Sequence, residues 1–245
     1  MVPQREFKQK RAAATFESLV AAAARVFARR GFEAAQTPEI AAEAGVSTGA
    51  LYRYFKDKRA VFVEVVAQHL QASHEEVMAK LTPERFVAGG ANAKDAIELV
   101  IDVLFARVQR DAGLERVYLA MSYSDPEVMR LRADYEARGC LALAQLIDLV
   151  VAPGVVADSV AAARVIGIAA VEVAADRAGL RPRTGDVGSD AAVKAALREM
   201  LHRYLFASIA PPAAAATATR AATAASSTTA ATAAAAKPKR PRAKR

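Results

Sequence analysis

Large apolar side chains recur along residues 12–206 at the spacing of one helix face, with no sustained two-residue alternation. That pattern predicts helices throughout and no sheet. Phe16, Leu19, Val20, Ala23, Val26 and Phe27 form a first stripe, ended by Gly31. Val61, Phe62, Val65, Val66 and Leu70 form a second, and Ile97, Val100, Ile101, Leu104, Phe105 and Val108 a third. Leu114 to Ser122 reads as a short helix, after which Asp125-Pro126-Glu127 restarts the chain with a cap, a first-turn proline and a first-turn acid. The helix so begun is stopped by Pro153-Gly154. Asp158 or Ser159 caps the next, which ends near Gly179, and Asp190 is the expected cap of the last, carrying Val193, Leu197, Met200, Leu201 and Leu205. Ala163, Gly167, Ala170 and Ala174 give the penultimate helix a small-residue face, fit for tight packing within the chain or for a seam between two copies.

Between the first two stripes, residues 37–58 change character. Thr37 is placed to cap a short helix with Pro38 at its first position, Gly45 stands where a left-handed backbone is needed, and Ser47 can cap a second short helix. Ile40, Ala41, Ala44, Val46, Leu51 and Phe55 supply the buried side, which leaves Thr48, Gly49, Tyr52, Arg53 and Tyr54 outward. This is a helix-turn-helix whose second helix presents hydroxyls, aromatics and an arginine. Those residue types suit a duplex. Helix starts at Thr37 and Ser47 direct N–H groups at phosphates, Gly49 admits the backbone to a groove, Tyr hydroxyls and Lys58 reach phosphate oxygens, and Arg53 or Thr48 can reach base edges.

Charge sharpens this picture through its distribution. The 245 residues carry a formal charge of +8. Residues 1–60 hold eleven basic and six acidic side chains, residues 61–206 hold 16 and 20, and residues 207–245 hold seven and none. Positive ends around a mildly acidic middle point to a polyanion, nucleic acid before membrane surface. Alanine accounts for 61 residues, 18 of them after Phe206 beside nine Ser or Thr, so the last segment has almost nothing large to bury and is expected to be a disordered tail. Its end, Lys237 to Arg245, is either a solvated charge run or a sequence-blind contact to phosphates.

Residues 11–62 resemble the DNA-binding domain of the TetR/AcrR family of bacterial transcriptional regulators. The resemblance rests on Val26-Phe27, Gly31-Phe32, Thr37, Ile40-Ala41, Ala44-Gly45-Val46-Ser47, Gly49, Leu51-Tyr52, Tyr54-Phe55, Lys58 and Val61-Phe62, with Tyr54 where many members carry His. It implies an all-α fold with a three-helix DNA-binding domain at 1–60, a larger effector-binding and dimerising bundle at 61–206, and then the Ala-rich basic tail at 207–245. It also implies that Thr37, Thr48, Gly49, Tyr52, Arg53, Tyr54 and Lys58 contact an operator, with Ser47 capping beside them. A homodimer joined through the last two long helices, with Gly167 in the seam, and a small-molecule effector that releases DNA follow from the same resemblance. Phe105, Tyr118 and Tyr123 are candidate effector contacts among the large side chains Phe86, Met121 and Tyr135, although a place in the core is the simpler reading of each.

Other chemistry recedes. His69 and His74 are five apart and do not share a helix face as a metal pair would, and Glu75 and Glu76 beside them read as solvated surface. Cys140 reads as a small buried residue in an apolar helix. No Gly-rich phosphate loop or nucleophile elbow occurs, so neither an enzyme nor a bound cofactor is expected. Leu141–Val156 and Val160–Ala175 are interrupted by polar residues and shorter than the ~20 residues of a membrane span, and Met1 to Lys8 contain no apolar leader core, so a cytoplasmic protein is expected. The function these features define is a ligand-responsive, sequence-specific DNA-binding regulator, most simply a repressor. The alternative is a low-specificity architectural DNA binder dominated by the tail.

Overall fold

The computed structural model describes residues 10–86, 91–180 and 188–206, and among them every regular element is a helix. The expected tail at 207–245 lies outside the described residues. The chain runs through α1 (Lys10–Ala34), α2 (Thr37–Glu43), α3 (Thr48–Tyr52), α4 (Lys58–Met78), the single turn α5 (Pro83–Phe86), α6 (Ala91–Arg110), α7 (Ala112–Ser122), α8 (Pro126–Val150), α9 (Ser159–Arg177) and α10 (Asp190–Phe206). None of the described helices is long and apolar enough to cross a membrane.

The helix starts follow the capping rules, with two corrections to the sequence reading. Asp125 Oδ1 accepts from the Glu127 and Val128 amides at 2.9 and 3.2 Å, and Asp158 rather than Ser159 caps α9, accepting from the Ala161 amide at 2.9 Å. Asp57, unremarked in the sequence, caps α4 through the Ala60 amide at 2.7 Å. Asp190 does not cap α10. Its carboxylate receives Arg177 Nε of α9 at 2.6 Å, and the neighbouring Ser189 hydroxyl takes the Ala192 amide instead, at 3.2 Å. Nor does Thr37 cap α2: the cap position is Gln36, which makes no side-chain cap bond, and Thr37 is the first helical residue.

Two apolar clusters form the interior. One joins α1–α3 to α4 and reaches into α7 and α8 through Leu114, Tyr118 and Val128. Phe27, Phe32 and Phe62 meet there with ring centroids 5.1 to 5.9 Å apart, and Phe16 stacks on Phe55 at 5.2 Å, spacings at which aromatic pairs add to their burial. The other cluster joins α5, α6, α8, α9 and α10. Between the two regions, α1 and α7 press together so closely that a Cβ on Gly113 would stand 2.9 Å from the Ala28 carbonyl oxygen.

The small-residue face of α9 turns inward, against the expected seam. Ala163 and Ala174 are buried in the second cluster, while Gly167 and Ala170 line a partly open cavity, and a Cβ at Gly167 would meet nothing within 4 Å. Ile168 and Val171, larger and partly exposed, border the same cavity, and Val165 is exposed outside it. Small residues here leave room within one chain.

Candidate nucleic-acid interface

The helix-turn-helix is built from α2, the turn and α3. Gly45 adopts φ 70°, the left-handed conformation that lets the chain leave α2, and its amide bonds to the Ala42 carbonyl at 3.0 Å. Ser47 Oγ then accepts from the Ala50 amide at 3.2 Å and starts α3. Ile40, Ala41, Leu51 and Phe55 are buried, which fixes the opposite side of α3 outward.

Tyr52 and Arg53 are exposed, and the Arg53 guanidinium makes no ion pair or side-chain hydrogen bond among the described residues. Gly49 is exposed as well, and an added Cβ would meet only Ser47 Oγ at 4.0 Å. Its lack of a side chain therefore answers no steric need inside the chain. Thr48 is half-buried. Lys56, an exposed cation that the sequence reading passed over, stands on the same segment two residues before Lys58.

Three of the expected operator contacts have inward partners. Thr37 is buried, and its hydroxyl shares a 2.9 Å hydrogen bond with the Tyr52 hydroxyl, so it holds that ring from α2 across to α3. Tyr54 is half-buried and packs against Phe16, with ring centroids 6.2 Å apart. Lys58 directs its ammonium at the carbonyls of Phe32 and Glu33, at 2.7 and 3.0 Å, and lies 4.7 Å from the Phe32 ring centroid. Those carbonyls follow Gly31, whose φ of 76° breaks the last turn of α1 and removes their helical environment.

Ion pairs brace the reading head in ways that spacing along the chain could not announce. Arg25 and Arg29 of α1 both reach Glu43 of α2, at 2.8 and 2.9 Å, and together hold its carboxyl below the usual range. At the base of the head, Arg59 grips Asp125 through Nε and Nη2, at 2.5 and 2.7 Å, and Glu127 through Nη1 at 2.9 Å. This ties the first turn of α4 to the first turn of α8. The Arg59 contact lowers the Asp125 carboxyl despite its burial.

Within the body, a cavity of about 490 Å³ is walled by α4 to α10, with Leu, Ile and Val making up half of its lining. Of the candidate effector contacts, Tyr118 lies on its wall. Phe105 does not: it is buried in the second cluster with the Lys194 ammonium 5.0 Å from its ring. Tyr123, 71% exposed, lies outside with Arg132 over its ring at 5.6 Å. Phe86 and Tyr135 do line the cavity, as does Cys140, which is half-buried with Sγ 3.6 Å from the Val160 carbonyl. His69 belongs to no solvated surface: Glu115 Oε1 meets its Nε2 at 2.9 Å and Arg107 Nη1 at 2.5 Å, in a nearly buried cluster. Burial pushes the Glu115 carboxyl up, but His69 and Arg107 outweigh it and hold the group below its ordinary value.

The fold and site define a helix-turn-helix of the DNA-binding kind, continuous with a larger set of helices. Residues 19–65 match the family model for bacterial regulatory proteins, tetR family. An uncharacterized HTH-type transcriptional regulator, YdgC of Bacillus subtilis (strain 168), is 29% identical over 119 residues, which are 47% of this chain and 57% of that one. The fatty acid metabolism regulator protein of the same organism is 32% identical over 111 residues, 44% of this chain and 51% of that one. The chain thus spans about half the length of the curated relatives it matches. Its fold is shared with a solved putative TetR-family transcriptional regulator from Mesorhizobium loti MAFF303099, with a TM-score of 0.66 and 18% identity over 80% of this chain and 98% of that one. The reading head is therefore of the TetR type, and the helical fold as a whole is one that a solved protein of that description shares.

Proposed function

We propose that the protein is a dimeric repressor that reads a two-fold-symmetric operator and releases it when a small molecule enters the body. The observation that carries this reading is the presence, in one compact unit, of a TetR-type reading head and a largely apolar, partly open cavity of about 490 Å³, within the ~300–1,000 Å³ common to ligand sites. Thr48, Gly49, Tyr52 and Arg53 are the operator contacts with Ser47 as their cap, Thr37 and Tyr54 position them, and Lys58 combines a structural tie with a remaining N–H for phosphate. On the body, exposed Val165 of α9 and Met200 and Tyr204 of α10, none of which lines the cavity, supply an apolar face suited to a second copy. Tyr118 and Gly167 belong to the effector site, and the fatty acid metabolism regulator among the relatives supports an effector with a long apolar part.

Selection of bound duplexes from a random library, followed by footprinting, tests the reading. A repressor of this kind enriches one symmetric sequence, and Val165→Glu leaves a monomer by light scattering that no longer protects both half-sites. Enrichment of no sequence, with binding that collapses as salt rises, would instead favour the tail-dominated architectural binder.

A further inference from the structure

Three arginines and three glutamates line the cavity, and they are unevenly placed. At one end, Arg107 faces Glu115, one cation to one carboxylate, with His69 beside them. On the α8–α9 side, two guanidiniums converge on a single carboxylate: Arg132 Nε lies 2.7 Å from Glu136 Oε1, and Arg164 Nη1 lies 3.2 Å from Glu136 Oε2. All three residues line the cavity. Arg132 also donates to Ser122 Oγ at 3.2 Å, whereas Arg164 commits only Nη1 among the described residues. The trio therefore carries an excess positive charge beside an apolar chamber, and Arg164, 52% exposed at its side chain, keeps Nε and Nη2 for another acceptor. Glu172, the other acid on this stretch of wall, lies eight residues further along α9, about 12 Å of helix rise from Arg164.

We propose that Arg164, with Arg132 behind it, receives the anionic end of an amphipathic effector whose apolar body fills the cavity. This rests on the cavity being the effector site. A guanidinium pair sharing one carboxylate suits a carboxylate or phosphate oxygen, since the incoming anion completes the charge balance and meets N–H groups already held in place. Glu136 is then a competitor that bridges the two arginines until the ligand arrives. An uncharged molecule of the same length gains the apolar contacts and none of this.

Calorimetry with decanoate, decyl phosphate and decan-1-ol tests the assignment, on the full chain and on three variants. Wild type should bind at least one of the two anions about tenfold more tightly than decan-1-ol, the difference one charge-assisted contact makes, and the preferred anion tells carboxylate from phosphate. Arg164→Gln should remove that advantage and leave decan-1-ol binding unchanged. Glu136→Gln should move the other way and tighten the preferred anion. Equal binding of alcohol and anions, or an Arg164→Gln variant that binds the anions as wild type does, overturns the proposal. Gly167→Leu, which takes up part of the chamber, should weaken binding of all three probes. If it leaves their affinities unchanged, the cavity reading fails together with this one; if it weakens them while Arg164→Gln has no effect, only the anion assignment fails.

Discussion

The reading head and the body are both helical and both rich in alanine, yet they use their apolar residues differently. In the head, Leu19, Val26, Phe27, Ile40, Leu51 and Phe62 are sealed from solvent, and the aromatic rings are in mutual contact. In the body, Gly139 and Gly167 border open space, and Leu141, Leu149, Val165 and Met200 face outward. A domain whose side chains must meet DNA at fixed positions is filled solid, because close packing leaves each backbone one position. A body that holds a cavity and offers an apolar outer face gives up part of that packing.

The contrast is broken most severely at the aromatic cluster. Phe27→Ala should cost about 3–5 kcal/mol of unfolding free energy in urea, near the top of the range for core truncations, because α1, α2 and α4 have no slack to close the hole. Leu143→Ala, on the cavity wall of α8, removes similar chemistry beside space that already exists and should cost about 2 kcal/mol. Equal losses would mean that the body is packed as tightly as the head. Next in size, Tyr52→Ala with Arg53→Ala should weaken operator binding by about 2–4 kcal/mol in mobility-shift titrations without moving the urea midpoint by a comparable amount.

Acid should separate the regions further. Because the folded Glu115 carboxyl lies below its unfolded value of about 4.3, its contribution is complete above that pH and is lost as pH falls through the folded value. Glu115→Gln should lower stability at neutral pH and flatten its decline between about pH 5 and 3, measured by urea unfolding. A variant as acid-sensitive as wild type would place the lability elsewhere. The smallest effect is expected at Thr37→Val, which removes the hydrogen bond to Tyr52 and should cost about 1 kcal/mol, visible equally in stability and operator affinity.

Legibility in the sequence followed the same division. Helix stripes, Gly31, Gly45 and the Ser47 and Asp125 caps are local signals, set by neighbours within four residues, and they gave the all-α fold and the turn between α2 and α3. Partners distant along the chain were silent. Arg59 and Asp125 are 66 residues apart, Arg107, Glu115 and His69 come from three helices, and no periodicity relates them. Thr37 shows how a local signal misleads: the residue type suits a cap, but its hydroxyl had a stronger claim from Tyr52, 15 residues away. The inward turn of the Gly167 face was hidden for a related reason, since small residues mark closeness or vacancy equally well until the neighbouring helix is in place.

Gly113 gives the boundary between the two regions its mechanical character. With its α-carbon set against Ala28, α7 touches α1 with no side chain between them to bend or change rotamer. Most contacts between helices are cushioned by flexible atoms, which absorb small displacements before any backbone has to move. Here there is no cushion. A shift of α7 toward α1 must be passed on whole to the helix that carries the reading head, and a shift away opens a gap at once, so this joint behaves as a stiff coupling rather than a spring.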